Sequence, residues 1–172
     1  MATGALYCVA ARGLAQSARD CVGPSAVPAL IFGAGLGLIG SGLFVTDPVG
    51  GFPPSADPPD AGNGTAQPSN VSREGRLHNL CAIPIFAGIP VAGLTCAGSA
   101  ARRGEYRWAT YCAASAGGMT GAFLLFGAAF GPTSRLAGLG GVFQRLSIAT
   151  GFVWVSALSL RALRRSRRAA TR

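Results

Sequence analysis

Long stretches without charge dominate the pattern of hydrophobic and polar positions along this chain. A helix that crosses the hydrocarbon core of a bilayer needs about 20 predominantly apolar residues. Four stretches meet that length and predict spans at residues 24–46, 77–100, 107–131 and 138–163. A fifth apolar segment, residues 2–16, is interrupted by Arg12 and predicts only a partial helix. The predicted fold class is therefore an all-α transmembrane bundle of four full spans plus a short N-terminal helix.

The segments between and after the spans complete the domain organisation. Residues 47–75 hold more than half of the chain's 11 Pro, with Gly, Ser and Asn between them, which is typical of an irregular loop. Residues 1–165, including this loop, are expected to form one transmembrane domain, and residues 166–172 a basic tail. Pro84 and Pro90 lie inside the second span and are expected to bend it.

Composition strengthens the membrane interpretation and excludes an ordinary soluble domain. Charged residues make up 12% of the chain, against about 25% in soluble domains. All 15 basic residues are Arg, and the net charge is +9. These Arg residues lie at the ends of apolar runs and in the tail rather than on a soluble basic face. The expected partners are therefore membrane lipids and not nucleic acid.

The distribution of Arg along the chain also predicts its orientation. One side of the membrane would receive Arg12, Arg19, Arg102, Arg103, Arg107, Arg161, Arg164, Arg165, Arg167, Arg168 and Arg172. The other side would receive Arg73, Arg76 and Arg135, with Arg145 near it. Because cytoplasmic flanks of membrane helices are enriched in Lys and Arg, the first side is predicted to be cytoplasmic. We expect a bacterial cell membrane, a cytoplasmic C-terminus and an outer Pro-rich loop.

Glycines in the first and third full spans have two interpretations. Gly35, Gly37 and Gly40 match the dinucleotide pattern G-x-G-x-x-G, but that pattern requires a preceding strand and a soluble helix N-terminus. In a membrane helix, small residues instead allow close helix packing. We therefore predict packing surfaces at Gly33, Gly37, Gly40, Gly117 and Gly121.

Residue types that carry membrane chemistry are scarce. Ser41 and His78 suggest an intramembrane serine protease, but Ile39 stands where the rhomboid-type motif has Gly. The chain has 1 His, which excludes a bis-histidine haem and argues against a metal site. The 5 Cys form no C-x-x-C pair, and four of them lie in apolar runs as small apolar side chains. No cofactor and no metal are therefore expected.

Five polar side chains fall at similar depth near the predicted outer face: Asp47, His78, Asn79, Gln144 and Arg145. Arg145 lies inside an apolar run and needs a partner or a wet cavity. Asp47 borders the outer end of the first full span, so we predict an ion pair between Asp47 and Arg145. Two interpretations remain open: an ion pair that locks three helices together, or an outward-facing polar pocket.

The same residues carry a resemblance to a known family. Segments 35–54, 77–93 and 140–163 resemble the membrane family catalogued as domain of unknown function 998. That family has a G-x-F-x-x-D-P segment at one helix end, an H-x-x-x-H-[DN] segment at the next helix start, and a Q-R pair in the last helix. The matching residues are Asp47-Pro48, His78-Asn79 and Gln144-Arg145.

The resemblance covers nearly the whole chain from Ala2 onwards, and it implies a helical membrane fold without an established reaction. Glu74 departs from the family pattern, because the earlier histidine of the second motif would fall there. Similar chains have about six helices, so this chain is expected to be short at its N-terminus.

Two functional hypotheses follow for this membrane protein. The first, which we favour, is a non-enzymatic protein that binds or passes a small solute or lipid at the outward-facing polar cluster. The second is a membrane-embedded enzyme acting on a lipid or its headgroup, with His78 as acid or base and Arg145 holding an anionic group. A hydrogen bond between His78 and Asp47 or Glu74 would favour the enzyme.

Overall fold

The computed structural model describes residues 1–17, 24–47, 71–130 and 134–171 of the chain. Every regular element in these residues is helical. We number the helices α1 (Ala2–Gln16), α2 (Ala26–Leu43), α3 (Arg73–Arg102), α4 (Tyr106–Ala128) and α5 (Gly140–Ala170). The predicted fold is confirmed: within the described residues, four helices are long and apolar enough to cross a membrane, and α1 is the shorter N-terminal helix.

Neighbouring helices in the sequence are also neighbours in space, so that α1 packs on α2, α2 on α3, α3 on α4 and α4 on α5. The aromatic rings of Tyr7 and Phe152 bring α1 against α5, with centroids 5.4 Å apart. Fully buried large side chains, including Ile31, Met119 and Trp154, fill the interior. Buried Ser147 donates a hydrogen bond of 2.8 Å to the Met119 carbonyl and links α5 to α4.

The bundle has two ends with different chemistry. The loop end contains residues 44–47, the start of α3, the end of α4 and the start of α5. The arginine end contains the turn between α3 and α4 (residues 103–105) and the part of α5 from Arg161 onwards. Arg145 and Arg161 are 16 residues apart on α5, a rise of about 24 Å. Each therefore lies near one boundary of a hydrocarbon core about 30 Å thick.

Helix α3 begins at Arg73, earlier than the predicted residue 77. The Ser72 side chain accepts a hydrogen bond from the Gly75 amide, and Glu74 lies in the first turn. This N-cap extends the helix into polar sequence, because it satisfies a backbone donor that would otherwise lack a partner. The predicted loop 47–75 is therefore helical at its end, and its residues 48–70 lie outside the described ones.

Helix α5 continues to Ala170, so the predicted tail is largely an extension of the last span. Arg, Ala and Leu favour helix, and the sequence from Arg161 consists mostly of them. Two other helices end slightly earlier than predicted, α2 at Leu43 and α4 at Ala128. Phe44 already has extended backbone, which directs the chain towards the start of α3.

Within α3, the segment Pro84–Gly88 is π-helical and joins the α-helical segments Arg73–Ile83 and Ile89–Arg102. Proline lacks an N–H group and disturbs the hydrogen-bond ladder of the preceding turn. A π-helical turn is one of the identifiable causes of helix bending, and it lies where Pro84 and Pro90 are expected to act.

Candidate functional site

Asp47 lies against the first turn of α3. Its Oδ2 accepts a hydrogen bond of 3.0 Å from the Ser72 amide. Gly75 is buried beside it, and a Cβ atom at that position would overlap the Asp47 carboxylate. The absence of a side chain at Gly75 therefore allows the carboxylate to approach the helix. Amides at a helix N-terminus carry partial positive charge, so the backbone of α3 stabilises the negative charge of Asp47.

His78 makes a second contact at the same junction between α2 and α3. Its Nδ1 is 3.0 Å from the carbonyl oxygen of Phe44, the C-cap residue that follows α2. Because a carbonyl oxygen only accepts, Nδ1 carries the proton and donates in this hydrogen bond. The half-buried imidazole is thus attached to the backbone of α2, and together with Asp47 it joins the end of α2 to the start of α3.

Arg145 is exposed and lies one helical turn into α5. Its Nη1 donates a hydrogen bond of 3.2 Å to the Gly141 carbonyl of the same helix. Helical side chains lean towards the N-terminus of their helix, which directs the Arg145 guanidinium towards the loop end. Gly141 leaves room for this conformation, because a Cβ there would be 3.0 Å from Arg145 Nη1.

The ion pair predicted between Asp47 and Arg145 is not formed. Within the described part of the chain, every ion pair has Glu105 as its acid. Asp47 is held at the junction of α2 and α3, whereas Arg145 lies on α5, which packs mainly on α4. The backbone of α3 already supplies the hydrogen bond that Asp47 was expected to receive from Arg145.

The remaining members of the predicted cluster lie beside these residues. Asn79 follows His78 on α3 and is exposed, and Gln144 precedes Arg145 on α5 and is half-buried. The structure therefore brings Asp47 and His78 to one helix junction. It leaves Gln144 and Arg145 on a separate helix of the same end.

The predicted packing glycines also fall into two groups. Gly37 and Gly40 lie against Cys81 of α3 so closely that a Cβ at either position would overlap it, and Gly33 faces Pro84. Among the described residues, nothing lies within 4 Å of a Cβ placed at Gly117 or Gly121. Helix packing at Gly117 and Gly121 therefore stays a prediction, with no contact to support it among the described residues. Helix α4 buries a different face, formed by Cys112, Ala116, Met119 and Ala122.

A second polar site at the arginine end surrounds Glu105, which is not among the predicted site residues. Its Oε2 accepts a hydrogen bond of 2.5 Å from Arg161 Nη2, and its Oε1 accepts one of 2.6 Å from Arg165 Nη2. Arg103 Nη2 is 3.7 Å from the same carboxylate. The tight turn before it uses Gly104, whose φ of 74° is disfavoured for residues with a side chain. Glu105 thus attaches the turn between α3 and α4 to α5.

Neighbouring groups hold these arginines in place. Arg161 Cζ lies 4.7 Å from the ring centroid of Trp108, a cation–π distance. Arg103 Nη1 donates a hydrogen bond of 2.7 Å to Ser99 Oγ. Burial opposes ionisation of Glu105, but the hydrogen bond from Arg165 and the charges of the three arginines outweigh it and lower its pKa.

One sequence signal could have identified this site. Glu105 is the only acidic residue after Glu74, and it lies between Arg103 and Arg107. A lone carboxylate among several Arg residues is a natural centre for ion pairs, provided that the other arginines come close in the fold. The contribution of α5 could not be read from the local sequence, because Arg161 is 56 residues away.

Other reactive groups are few in the described part of the chain. Cys96 and Cys112 are buried between α3 and α4, with their sulfur atoms 3.8 Å apart. No three His, Cys, Asp or Glu side chains among the described residues lie close enough together to hold a metal ion.

Comparison with known proteins identifies the family. Searches of curated proteins and of solved structures gave no match. The family described as Protein of unknown function (DUF998) matches residues 1–161, which is most of the 172-residue chain. The chain therefore belongs to the DUF998 family.

Proposed function

We propose that this multi-pass membrane protein binds the anionic headgroup of a lipid at its loop end, with Arg145 as the principal contact. The protein acts there as a binding protein rather than an enzyme. The proposal places it in a bacterial cell membrane, with the loop end outside and the arginine end cytoplasmic.

The observation that carries this proposal is the environment of Arg145. Its guanidinium is exposed on the surface of a membrane-spanning helix, and within the described residues its hydrogen bond goes to the Gly141 carbonyl rather than to a carboxylate. A charged side chain at this depth is stabilised by reaching the interface or by pairing with a counter-ion. The phosphate of a lipid headgroup supplies both, and a guanidinium binds phosphate with two parallel hydrogen bonds.

The polar groups at the α2–α3 junction support binding over catalysis. In the described structure, the Nδ1 atom of His78 is bound to the Phe44 carbonyl and Asp47 Oδ2 to the Ser72 amide. An acid–base pair would instead place the imidazole against a carboxylate. The arrangement of Asp47 and His78 therefore fits a structural junction beside the lipid site.

The orientation rests on the unequal charge of the two ends. The arginine end carries Arg102, Arg103, Arg107 and the Arg residues of α5 from Arg161 onwards. By the positive-inside rule, these Arg-rich flanks lie on the cytoplasmic side of the membrane. A green fluorescent protein fused after Arg172 should be fluorescent and an alkaline phosphatase fused there inactive, and the opposite pair of results would reverse the orientation.

The direct test compares Arg145→Gln with Arg135→Gln, which removes an exposed arginine from the preceding turn. Each full-length protein is purified in dodecyl maltoside and mixed with equal amounts of phosphatidylglycerol and phosphatidylcholine. Native mass spectrometry then measures the bound lipid. We expect Arg145→Gln to weaken the binding of one phosphatidylglycerol molecule per protein about tenfold, while Arg135→Gln retains it. Equal retention by the two variants would contradict the proposal.

The same preparation tests the enzyme alternative. The lipids are extracted after prolonged incubation with the wild-type protein and compared with a protein-free incubation. Unchanged lipid species are expected from a binding protein. A new lipid species that depends on His78 would replace the binding proposal with the enzymatic one.

A further inference from the structure

The arginine end concentrates positive charge around one carboxylate. Arg103, Arg161 and Arg165 surround Glu105, so three guanidinium groups share this carboxylate in the described part of the chain. Each of these four side chains is partly buried, and Glu105 is 23% exposed. Partial burial weakens solvent screening, so these guanidinium groups attract an anion more strongly than the same groups on an open surface.

Three nitrogen atoms in the cluster are donors that Glu105 does not satisfy. Arg103 Nε, Arg103 Nη2 and Arg161 Nε are buried and make no hydrogen bond within the described part of the chain. A buried donor without an acceptor is unfavourable by about 1–3 kcal/mol, and more when it is charged. These donors can therefore bind an acceptor other than Glu105.

The two arginines with unsatisfied donors are also held in fixed positions. Trp108 lies against the Arg161 guanidinium at 4.7 Å, and Ser99 Oγ accepts a hydrogen bond from Arg103 Nη1. Arg161 Nη2 is further fixed by Glu105. Guanidinium groups that are already oriented lose little conformational entropy when they bind a ligand. The planar fork of donors matches the oxygen atoms of a phosphate group.

We propose that Arg103, Arg161 and Arg165 form a binding site for a phosphate group at the arginine end of the bundle. The site lies where span Arg73–Arg102 ends and span Tyr106–Ala128 begins, which is the level of lipid headgroups. The phosphate belongs either to an anionic lipid of that leaflet or to a soluble phosphate compound. This site is separate from the lipid site proposed at Arg145, which lies about 24 Å away along α5.

Glu105 has a defined role in this site. It holds Arg161 and Arg165 together, and it competes with the phosphate for the same positive charge. Replacing Glu105 by Gln keeps the size of the side chain and removes the competing charge, so phosphate should bind more tightly. If the cluster only joined the helices, the same replacement would weaken the fold without producing a stronger anion site.

The experiment uses the full chain in dodecyl maltoside and three probes: inorganic phosphate, dihexanoyl phosphatidic acid and zwitterionic dihexanoyl phosphatidylcholine. Tryptophan fluorescence reports on Trp108 beneath Arg161, and thermal unfolding is followed in parallel. We expect saturable binding of phosphatidic acid that phosphatidylcholine does not reproduce. Binding of inorganic phosphate with comparable affinity would assign the site to soluble phosphate compounds, whereas a preference for phosphatidic acid would assign it to lipid.

Variants then locate the binding. Arg161→Gln and Arg103→Gln should each weaken phosphate binding about tenfold, whereas exposed Arg164→Gln, with the same loss of charge, should change it less than about twofold. Arg103→Lys provides a folded control, because it keeps the charge but cannot form the guanidinium fork. Glu105→Gln should tighten binding several-fold. Repeating the titrations with Arg145→Gln separates this site from the one at the loop end.

Several results would overturn the proposal of a phosphate site. One is equal weakening by Arg164→Gln and Arg161→Gln, which would indicate nonspecific attraction to the basic helix. Another is unchanged or weaker phosphate binding by a folded Glu105→Gln protein, which would identify the cluster as a structural ion-pair network. Lack of saturable binding by any phosphate probe would also exclude the proposal.

Discussion

Asp47 at the loop end and Glu105 at the arginine end both lie beside the start of a helix, and their carboxylates have different partners. At the loop end, Asp47 accepts a hydrogen bond from the backbone at the start of α3. At the arginine end, Glu105 immediately precedes α4 but makes no side-chain cap hydrogen bond there. Its carboxylate instead accepts hydrogen bonds from Arg161 and Arg165 of α5.

This difference explains why Arg145 and Arg161 have different environments although both lie on α5. The Ser72 amide donates a hydrogen bond to Asp47, whereas Arg145 is exposed and donates one to its own helix. Glu105 forms an ion pair with Arg161 of α5, and this arginine is partly buried and held in place. A carboxylate near a helix end can therefore act as a local cap or as a connection between helices, and neighbouring elements decide which.

The largest expected effect is at the arginine end. Glu105→Gln removes the carboxylate that Arg103, Arg161 and Arg165 share, and it should lower the free energy of unfolding by about 2 kcal/mol. This value lies between the 3–5 kcal/mol typical of breaking a buried pair and the 0–1 kcal/mol of an exposed pair, because Glu105 is 23% exposed. Titration with sodium dodecyl sulfate in mixed micelles measures the change. An unfolding energy equal to that of the wild type would show that Glu105 does not stabilise the bundle.

Acidification provides an independent measure of the same interaction. The pKa of Glu105 is lower in the folded protein than the ordinary Glu value of about 4.3. Its stabilisation is therefore complete above about pH 4.3 and is lost as the pH falls through the lower folded pKa. Below about pH 4 the wild-type protein should lose more stability than Glu105→Gln, and parallel losses would contradict this assignment.

The next effect concerns the close approach at the loop end. Gly75→Ala places a methyl group against the Asp47 carboxylate, and it should destabilise the protein by about 1–2 kcal/mol through overpacking and loss of the Ser72 hydrogen bond. Gly117→Ala is the matched control, because its Cβ meets nothing within 4 Å among the described residues. The control should be neutral or slightly stabilising in the same titration. A larger loss for Gly117→Ala than for Gly75→Ala would invalidate the described contact.

A smaller effect is expected when the charge of Asp47 alone is removed. Asp47→Asn can still accept the hydrogen bond from the Ser72 amide, so only the attraction between the carboxylate and the helix N-terminus is lost. Such interactions contribute about 0.3–1 kcal/mol. A loss greater than that of Glu105→Gln would mean that Asp47 has a further partner and would reverse the ranking of the two ends.

The smallest effect on stability is expected for Arg145→Gln. Because the described contact of Arg145 is one hydrogen bond to its own helix, unfolding energy should change by less than about 0.5 kcal/mol. The test is made in dodecyl maltoside without added lipid, which separates folding from lipid binding. A destabilisation of several kcal/mol would indicate that Arg145 has a structural partner after all.

The membrane helices were predictable because each depends on local composition. A long apolar run must be helical in a bilayer, since the hydrocarbon core supplies no partners for backbone N–H and C=O groups. The boundaries were less accurate where a short-range feature extended a helix into polar sequence, as Ser72 does for α3. The charged sequence after residue 163 likewise remained helical, because Arg and Ala favour helix without needing burial.

The candidate site was predicted only in part. Depth along each span groups the polar residues at one end of the bundle, but depth does not specify which helices are adjacent. Asp47 and Arg145 share an end and yet lie on helices that pack against different neighbours. Glu105 was missed because two of its three arginines, Arg161 and Arg165, lie far from it in the sequence. Only the fold brings α5 against the α3–α4 turn.

The sequence by itself determined that this chain spans a membrane and roughly where each helix lies, because hydrophobic length and charge act locally. Only the tertiary structure decided which acidic side chain pairs with which arginine. The pairing depends on which helices are neighbours and on whether a backbone amide already donates to the carboxylate. It gave Asp47 a backbone partner and left Arg145 at the surface. It also assembled the arginine cluster around Glu105, because a partly buried charge is stabilised by a counter-charge, and here that counter-charge comes from a distant helix.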